Sequence, residues 1–136
     1  MQVSVNFWSV LVAAIVSFVV GWVWYGPLFG KTWKNLMGFT DEVMMSMKMK
    51  AGTAMVTGFI SALVTSYVLA HFVVLLNLTT VEEACQLAFW LWLGFVATVM
   101  LGSVLWEGKS MKLFVLNAAE NLVALVLAAV ILVLWQ

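Results

Sequence analysis

Charged residues divide this chain into four long apolar runs. The runs cover residues 3–25, 51–76, 84–106 and 113–135. At about 1.5 Å of rise per residue, a helix made from any of these runs would cross the roughly 30 Å hydrocarbon core of a bilayer. The pattern predicts an all-α membrane protein in which residues 1–136 form one domain, a compact bundle of four transmembrane helices.

The composition agrees with a chain whose main partner is the lipid bilayer. Of the 136 residues, 65% are apolar and 9% are charged, whereas soluble domains are about half apolar and a quarter charged. A chain of this length has too much surface to hide such an apolar excess in one soluble core. Six basic residues balance six acidic ones, which excludes a basic nucleic-acid-binding protein.

The lysines predict the orientation in the membrane. All of them fall in the first and third predicted loops, namely Lys31, Lys34, Lys48, Lys50, Lys109 and Lys112. Because positively charged loops remain in the cytoplasm, loops 26–50 and 107–112 are predicted to be cytoplasmic and both termini to lie outside. No basic residue precedes the first apolar run, so we expect a mature helix there rather than a cleaved signal peptide.

The first loop is the only sizeable polar segment. Gly26-Pro27 is predicted to end the first helix, because proline lacks a backbone donor and restrains the residue before it. Aromatic residues such as Phe29 and Trp33 alternate with lysines in this loop, which predicts a short interfacial helix. Thr40 is predicted to cap a helix that begins at Asp41 and continues into the second span.

The other two loops are short. Thr80 and Glu83 match the capping-box pattern, which predicts that the third helix starts at once. Short connections predict that the second, third and fourth helices are antiparallel neighbours, and they leave the position of the first helix open.

Small residues recur along three of the predicted helices at spacings that form flat stripes. Such stripes let helix backbones approach closely within a membrane. Whether they serve the monomer or an interface between copies stays open at this point. The residues that we expect to pack helices are Ser17, Gly21, Gly58, Ala62, Ser66, Gly94 and Gly102.

Glu120 is the one charged residue inside an apolar run, and Asn117 and Asn121 lie on neighbouring faces of the same predicted helix. A charge at that depth costs several kcal/mol, by order of magnitude, on insertion scales, so the side chain should face protein or water. Two interpretations stay open. Glu120 is either a site for a proton or cation, or a neutral carboxyl that exchanges hydrogen bonds with Asn, Ser or Trp on other helices.

Other candidate groups point less clearly to chemistry. His71, toward the outer end of the second helix, is either part of a proton relay with Glu120 or an interfacial hydrogen-bonding residue. The cluster Met44, Met45, Met47 and Met49 suits copper(I) or simply an adaptable apolar helix, and we expect no metal site and no cofactor. Cys85 is alone, so no internal disulfide is expected.

Several motifs together resemble a known family. The segment WYGPLFGKTW at residues 24–33 is the most specific, and residues 36–38, 92–95 and 106–109 add to it. The chain thus resembles the small bacterial integral membrane proteins grouped as domain of unknown function 1761. The resemblance implies a prokaryotic origin, a bacterial inner membrane and a four-helix membrane domain. It implies no activity, substrate or catalytic residue.

These observations favour a non-catalytic membrane protein over an enzyme. The first hypothesis is a scaffold or accessory subunit that forms a homo-oligomer and has a possible membrane protein partner, because small-residue stripes are present and no convergent polar site is recognised. The alternative is a small oligomeric transporter or channel that uses Glu120 as an intramembrane proton or cation site.

Overall fold

The computed structural model describes residues 3–46 and 51–136, which fold into helices joined by short turns. The helices are α1 (Phe7–Val23), α2 (Gly30–Met37), α3 (Asp41–Met45), α4 (Ala51–Leu75), α5 (Val81–Trp92), α6 (Thr98–Met100), α7 (Gly102–Leu105) and α8 (Met111–Leu134). Among the described residues, four segments are long and apolar enough to cross a membrane: Phe7–Leu28, Ala51–Leu75, Val81–Leu105 and Met111–Leu134. The predicted all-α bundle of four spans is confirmed.

The fourth span, α8, lies at the centre of the bundle. It packs against α1, α4 and α5, and α1 also packs against α4. Within the described residues, α4 and α5 make little direct contact although a short loop joins them. The prediction that the second and third spans are close neighbours is therefore wrong. Small buried residues on α8, namely Ala118, Ala128 and Ala129, permit this central position because they let helices approach closely.

The tightly packed core occupies one half of the bundle. We call the half that carries residues 3–9, Gln136 and the α4–α5 turn the terminal half, and the half that carries residues 29–46 and 106–110 the lysine half. Alanines without exposed surface bring the helices together in the terminal half. The core residues there are Val10, Ala13, Leu69, Ala70, Val73, Ala84, Ala88, Ala128, Ala129, Leu132 and Val133.

The predicted capping box is present at the start of α5, in the terminal half. The Thr80 side chain accepts from the Glu83 backbone N–H (3.2 Å), and the Glu83 carboxylate accepts from the Thr80 N–H (3.1 Å). The same carboxylate also accepts from the Thr79 N–H at 2.8 Å. Gln136 donates to the Leu78 carbonyl at 2.7 Å, which ties the end of the chain to this turn.

The first span continues through Pro27 instead of ending there, so that prediction is wrong. Residues Trp24–Leu28 form a π-helical turn, in which the Phe29 N–H donates to the Trp24 carbonyl at 2.8 Å. An α-helical turn would bring the proline ring against the carbonyl four residues earlier, and the wider turn relieves that clash. Helix α2 follows directly at Gly30, where a Cβ would lie 2.8 Å from the Tyr25 carbonyl oxygen.

The third span also contains a π-helical turn, at Leu93–Ala97. The Thr98 hydroxyl donates to the Gly94 carbonyl at 2.7 Å within this turn. Such back-bonding to a helix carbonyl bends membrane helices, and the α-helical pattern is interrupted again at Leu101. The predicted single helix is therefore one span built from three α-helical pieces.

The rest of the first loop is described only in part. Thr40 accepts from the Val43 N–H at 3.2 Å and so caps α3, as predicted. The predicted continuation of this helix into the second span falls at residues 47–50, outside the described residues. Met47 and Met49 of the methionine cluster, and the lysines Lys48 and Lys50, lie outside them as well.

Candidate functional site

A cavity of about 700 Å³ lies between the first, second and fourth spans. Its walls run from Trp33 and Ala51 in the lysine half to Thr65 and to Ala128, which belongs to the core of the terminal half. Small residues on facing helices leave this space open. On α4, a Cβ added at Gly58 would meet no atom within 4 Å. The small residues along the walls are Ser17, Gly21, Ala54, Gly58, Ser61, Ala62, Ala124 and Ala128.

Glu120 projects from α8 into this cavity. Its position in the helix places it about 14 Å from the start of α8, close to the middle of the span. A Cβ added at Gly21 would lie 3.4 Å from the Glu120 Oε1 atom, so the missing side chain makes room for the carboxyl group. Throughout residues 3–46 and 51–136, no hydrogen bond or ion pair ends on Glu120.

The two asparagines beside Glu120 are bonded elsewhere. The Tyr25 hydroxyl donates to the Asn117 Oδ1 atom at 2.8 Å, which links the first and fourth spans. Asn121 donates to the Asn117 backbone carbonyl at 2.9 Å and so stays on its own helix. Asn121 and Glu120 both line the cavity. Asn117 is not among the lining residues, but it accepts the hydrogen bond from Tyr25, which is one of them.

Aromatic side chains form part of the cavity lining. Tyr25 and Trp33 both line it, with ring centroids 5.5 Å apart and planes inclined by 60°. Phe39 packs edge-on against Trp33 at 5.2 Å, and Phe18 and Trp22 complete the aromatic lining. Sequence reasoning did not select Tyr25 as a site residue. Its position four residues after Gly21 is the signal that places both on one helix face.

The sequence matches a family described as proteins of unknown function (DUF1761), over residues 8–133. The chain belongs to the DUF1761 family. The match spans nearly the whole bundle, including the WYGPLFGKTW segment that forms the π-helical turn and the start of α2. Comparison with curated proteins and with solved structures finds no match.

His71 of this DUF1761 protein lies apart from Glu120. Its Nδ1 atom is 2.8 Å from the Tyr67 carbonyl oxygen, and it donates there because a carbonyl only accepts. The ring packs edge-on against Tyr67, which in turn stacks on Phe7 in the terminal half. His71 is not among the residues that line the cavity of Glu120.

The predicted packing residues fall into three groups: some lie at helix contacts, some line the cavity, and two have space around them. Ser17 donates to the Ala124 carbonyl at 3.5 Å, and Ser66 is buried between helices. Ala62 and Gly21 line the cavity, where Gly21 leaves room for the Glu120 carboxyl group. Gly94 is exposed with no atom within 4 Å of an added Cβ, and an added Cβ at Gly102 would meet only Trp106, 3.8 Å away.

The two tryptophans within the third span have different surroundings. Trp92 donates its indole N–H to the Ala118 carbonyl at 2.7 Å and so anchors the third span to α8. Trp90 is 65% exposed and faces away from the bundle. The Trp92 indole thus has a hydrogen-bond partner, whereas Trp90 lies at the outer surface of the bundle.

The chemistry available in the DUF1761 cavity is that of one carboxylate among hydroxyl and aromatic groups. In the described part of the chain, no three His, Cys, Asp or Glu side chains come together. No basic residue is among the described cavity-lining residues. A carboxylate in this setting can bind a proton or attract a single positive charge.

Proposed function

We propose that this DUF1761 protein binds a cation in the cavity of Glu120 and carries it across the membrane in exchange for a proton. The observation that supports this proposal is a membrane-depth carboxylate that projects into a large cavity with no hydrogen-bond partner in residues 3–46 and 51–136. Polar side chains that hold membrane helices together do so by bonding across helices. Glu120 makes no such bond there, which favours a role in binding something outside the chain.

The uneven packing of the bundle supports transport. The packed alanines of the terminal half close the cavity on one side, while its lining reaches Trp33 and Ala51 on the other. Transporters work by exposing a midplane site to one side of the membrane at a time. The bundle has the form expected of one such state.

We infer that the lysine half faces the cytoplasm of a bacterium and that both termini lie outside the inner membrane. The positive loops support this orientation, with Lys31, Lys34 and Lys109 all in the lysine half. In this orientation the cavity receives its cation from the cytoplasmic side. The proton leaves the Glu120 carboxyl as the cation binds, and it rebinds when the cation departs.

Replacing Glu120 with glutamine tests this proposal. The purified protein is reconstituted in liposomes with a pH gradient, and proton movement is recorded on adding Na⁺, K⁺, tetramethylammonium or tetraphenylphosphonium. We expect at least one cation to drive proton movement with the unmodified protein, and Glu120→Gln to reduce the rate at least about 20-fold, because an amide neither binds nor releases a proton at neutral pH.

Glu107→Gln is the matched control, because Glu107 lies exposed in the α7–α8 turn. It should leave the rate unchanged. Equal rates for unmodified protein and Glu120→Gln with every cation would contradict the proposed function.

A homo-oligomeric scaffold is the second candidate, and the exposed third span favours it. Gly94 leaves open space at the surface, and the neighbouring Phe95 lines an apolar groove of about 410 Å³ between the second and third spans. Glycine at a lipid-facing surface lets another helix approach closely. We propose a second copy of this chain as the occupant.

Disulfide trapping in native membranes tests this second candidate. In a Cys85→Ser background, Gly94→Cys should cross-link two copies, whereas Val99→Cys, at a position that is 73% exposed, should not. Equal cross-linking of both variants would indicate random collision and count against a specific dimer.

A further inference from the structure

We propose that the cation bound beside Glu120 is a lipophilic organic cation, such as a quaternary ammonium or phosphonium compound, and not an inorganic ion. This inference rests on the proposed function and names its ligand class. Three features of the cavity support it: its volume, its charge and its aromatic lining.

The volume suits an organic molecule. The cavity holds about 700 Å³, whereas one water occupies about 30 Å³. Pockets for drug-sized ligands measure about 300–1,000 Å³ and are lined mainly by apolar groups. A proton or a bare metal ion would leave most of this space unused.

The charge of the site suits a ligand with one diffuse positive charge. Glu120 is the only acidic residue among the described cavity-lining residues, and none of them is basic. Mg²⁺ and Ca²⁺ require about six or more oxygen ligands at 2.0–2.6 Å. Within the described residues, no cluster of acidic or histidine side chains offers such a set.

The aromatic lining suits a poorly hydrated cation. Phe18, Trp22, Tyr25 and Trp33 line the cavity, and the faces of such rings attract organic cations within about 6 Å. The hydrogen bond from Tyr25 to Asn117 holds the Tyr25 ring in place on the wall. An organic cation between these rings and Glu120 would neutralise the charge of the carboxylate, and its apolar groups would cover the apolar wall of the cavity.

Binding of tetraphenylphosphonium to the detergent-solubilised full-length protein tests the ligand class, with equilibrium dialysis as the readout. We expect Glu120→Gln to weaken binding at least about 100-fold. Trp33→Leu, which keeps an apolar side chain but removes the ring, should weaken it about tenfold. Trp90→Leu is the matched control, because Trp90 lies exposed on the third span away from the cavity, and it should leave binding unchanged.

The uncharged analogue triphenylphosphine oxide distinguishes charge recognition from plain apolar binding. We expect it to bind at least about 100-fold more weakly than the cation and to be insensitive to Glu120→Gln. Equal binding of the two compounds would overturn the inference. Trp33→Phe retains a ring and should recover most of the affinity lost in Trp33→Leu, so a variant that fails to fold is not mistaken for a lost contact.

The outcomes separate this inference from the proposed function. If Na⁺ or K⁺ drives Glu120-dependent proton movement but tetraphenylphosphonium does not bind, the ligand class is wrong and the proposed function stands. If no cation drives proton movement and none binds, both are wrong.

Discussion

Replacing Glu120 with methionine should make the protein more stable. The carboxyl group lies at membrane depth with no hydrogen bond in the described residues, and acidic groups at the centre of a membrane helix are unfavourable by a few kcal/mol. Because Glu120 is only partly buried, we expect a gain of about 1–3 kcal/mol. The free energy of unfolding in mixed detergent micelles measures it.

Asn117→Leu, on the same helix, should have the opposite effect on stability. It removes the acceptor of the 2.8 Å hydrogen bond from Tyr25, and interhelical hydrogen bonds of this kind contribute about 0.6–1.7 kcal/mol in membranes. Its stability should therefore fall by about that amount. If Glu120→Met also lowers the stability, then Glu120 holds the helices together, and the transport proposal loses its main support.

Replacing Ala13 with leucine should destabilise the bundle strongly. Ala13 has no exposed surface and lies in the core of the terminal half, where α1 packs against α8. A larger side chain there forces the helices apart, and overpacking of this kind costs about 1–3 kcal/mol or more. Small residues hold the backbones of α1 and α8 close together at this contact. We therefore expect the free energy of unfolding to fall by about 3 kcal/mol, near the upper end of that range.

Val19→Leu is the matched control for Ala13→Leu. Val19 lies on the same helix but is 47% exposed, so the added methylene enters lipid or detergent. Its unfolding free energy should stay within about 0.5 kcal/mol of the unmodified protein. Equal effects of the two substitutions would show that the alanine contacts do not set the stability of the bundle.

The sequence predicts the four spans because charge is confined to their ends. It also predicts the Thr80–Glu83 capping box, a local pattern of two side chains and their own backbone. The path through Pro27 could not be predicted, because proline normally ends a helix and a single wide turn leaves no simple pattern. The central position of α8 also could not be predicted, since loop lengths limit neighbours in the chain but not which helix lies between the others.

In the candidate site, too, one feature could be predicted from the sequence and another could not. Glu120 is conspicuous in the sequence because it is isolated among apolar residues. Its surroundings depend on the vertical register between α1 and α8, which places Gly21 opposite the carboxylate, where an added Cβ would lie 3.4 Å from Oε1, and Tyr25 against Asn117. Register between membrane helices arises from the fit of many small contacts, so one sequence does not reveal it.

The direct junction between the first span and α2 has a mechanical consequence. Tyr25 on the cavity wall lies within the wide turn Trp24–Leu28, and only Phe29 stands between that turn and α2, which carries Trp33. An interfacial helix follows the depth of the lipid headgroups, and that depth changes with bilayer thickness. We expect α2 to lie at this interface, so a thinner or thicker membrane should tilt it and move Trp33 relative to Tyr25. The width of the cavity between these two rings should then change with the lipid composition around the protein.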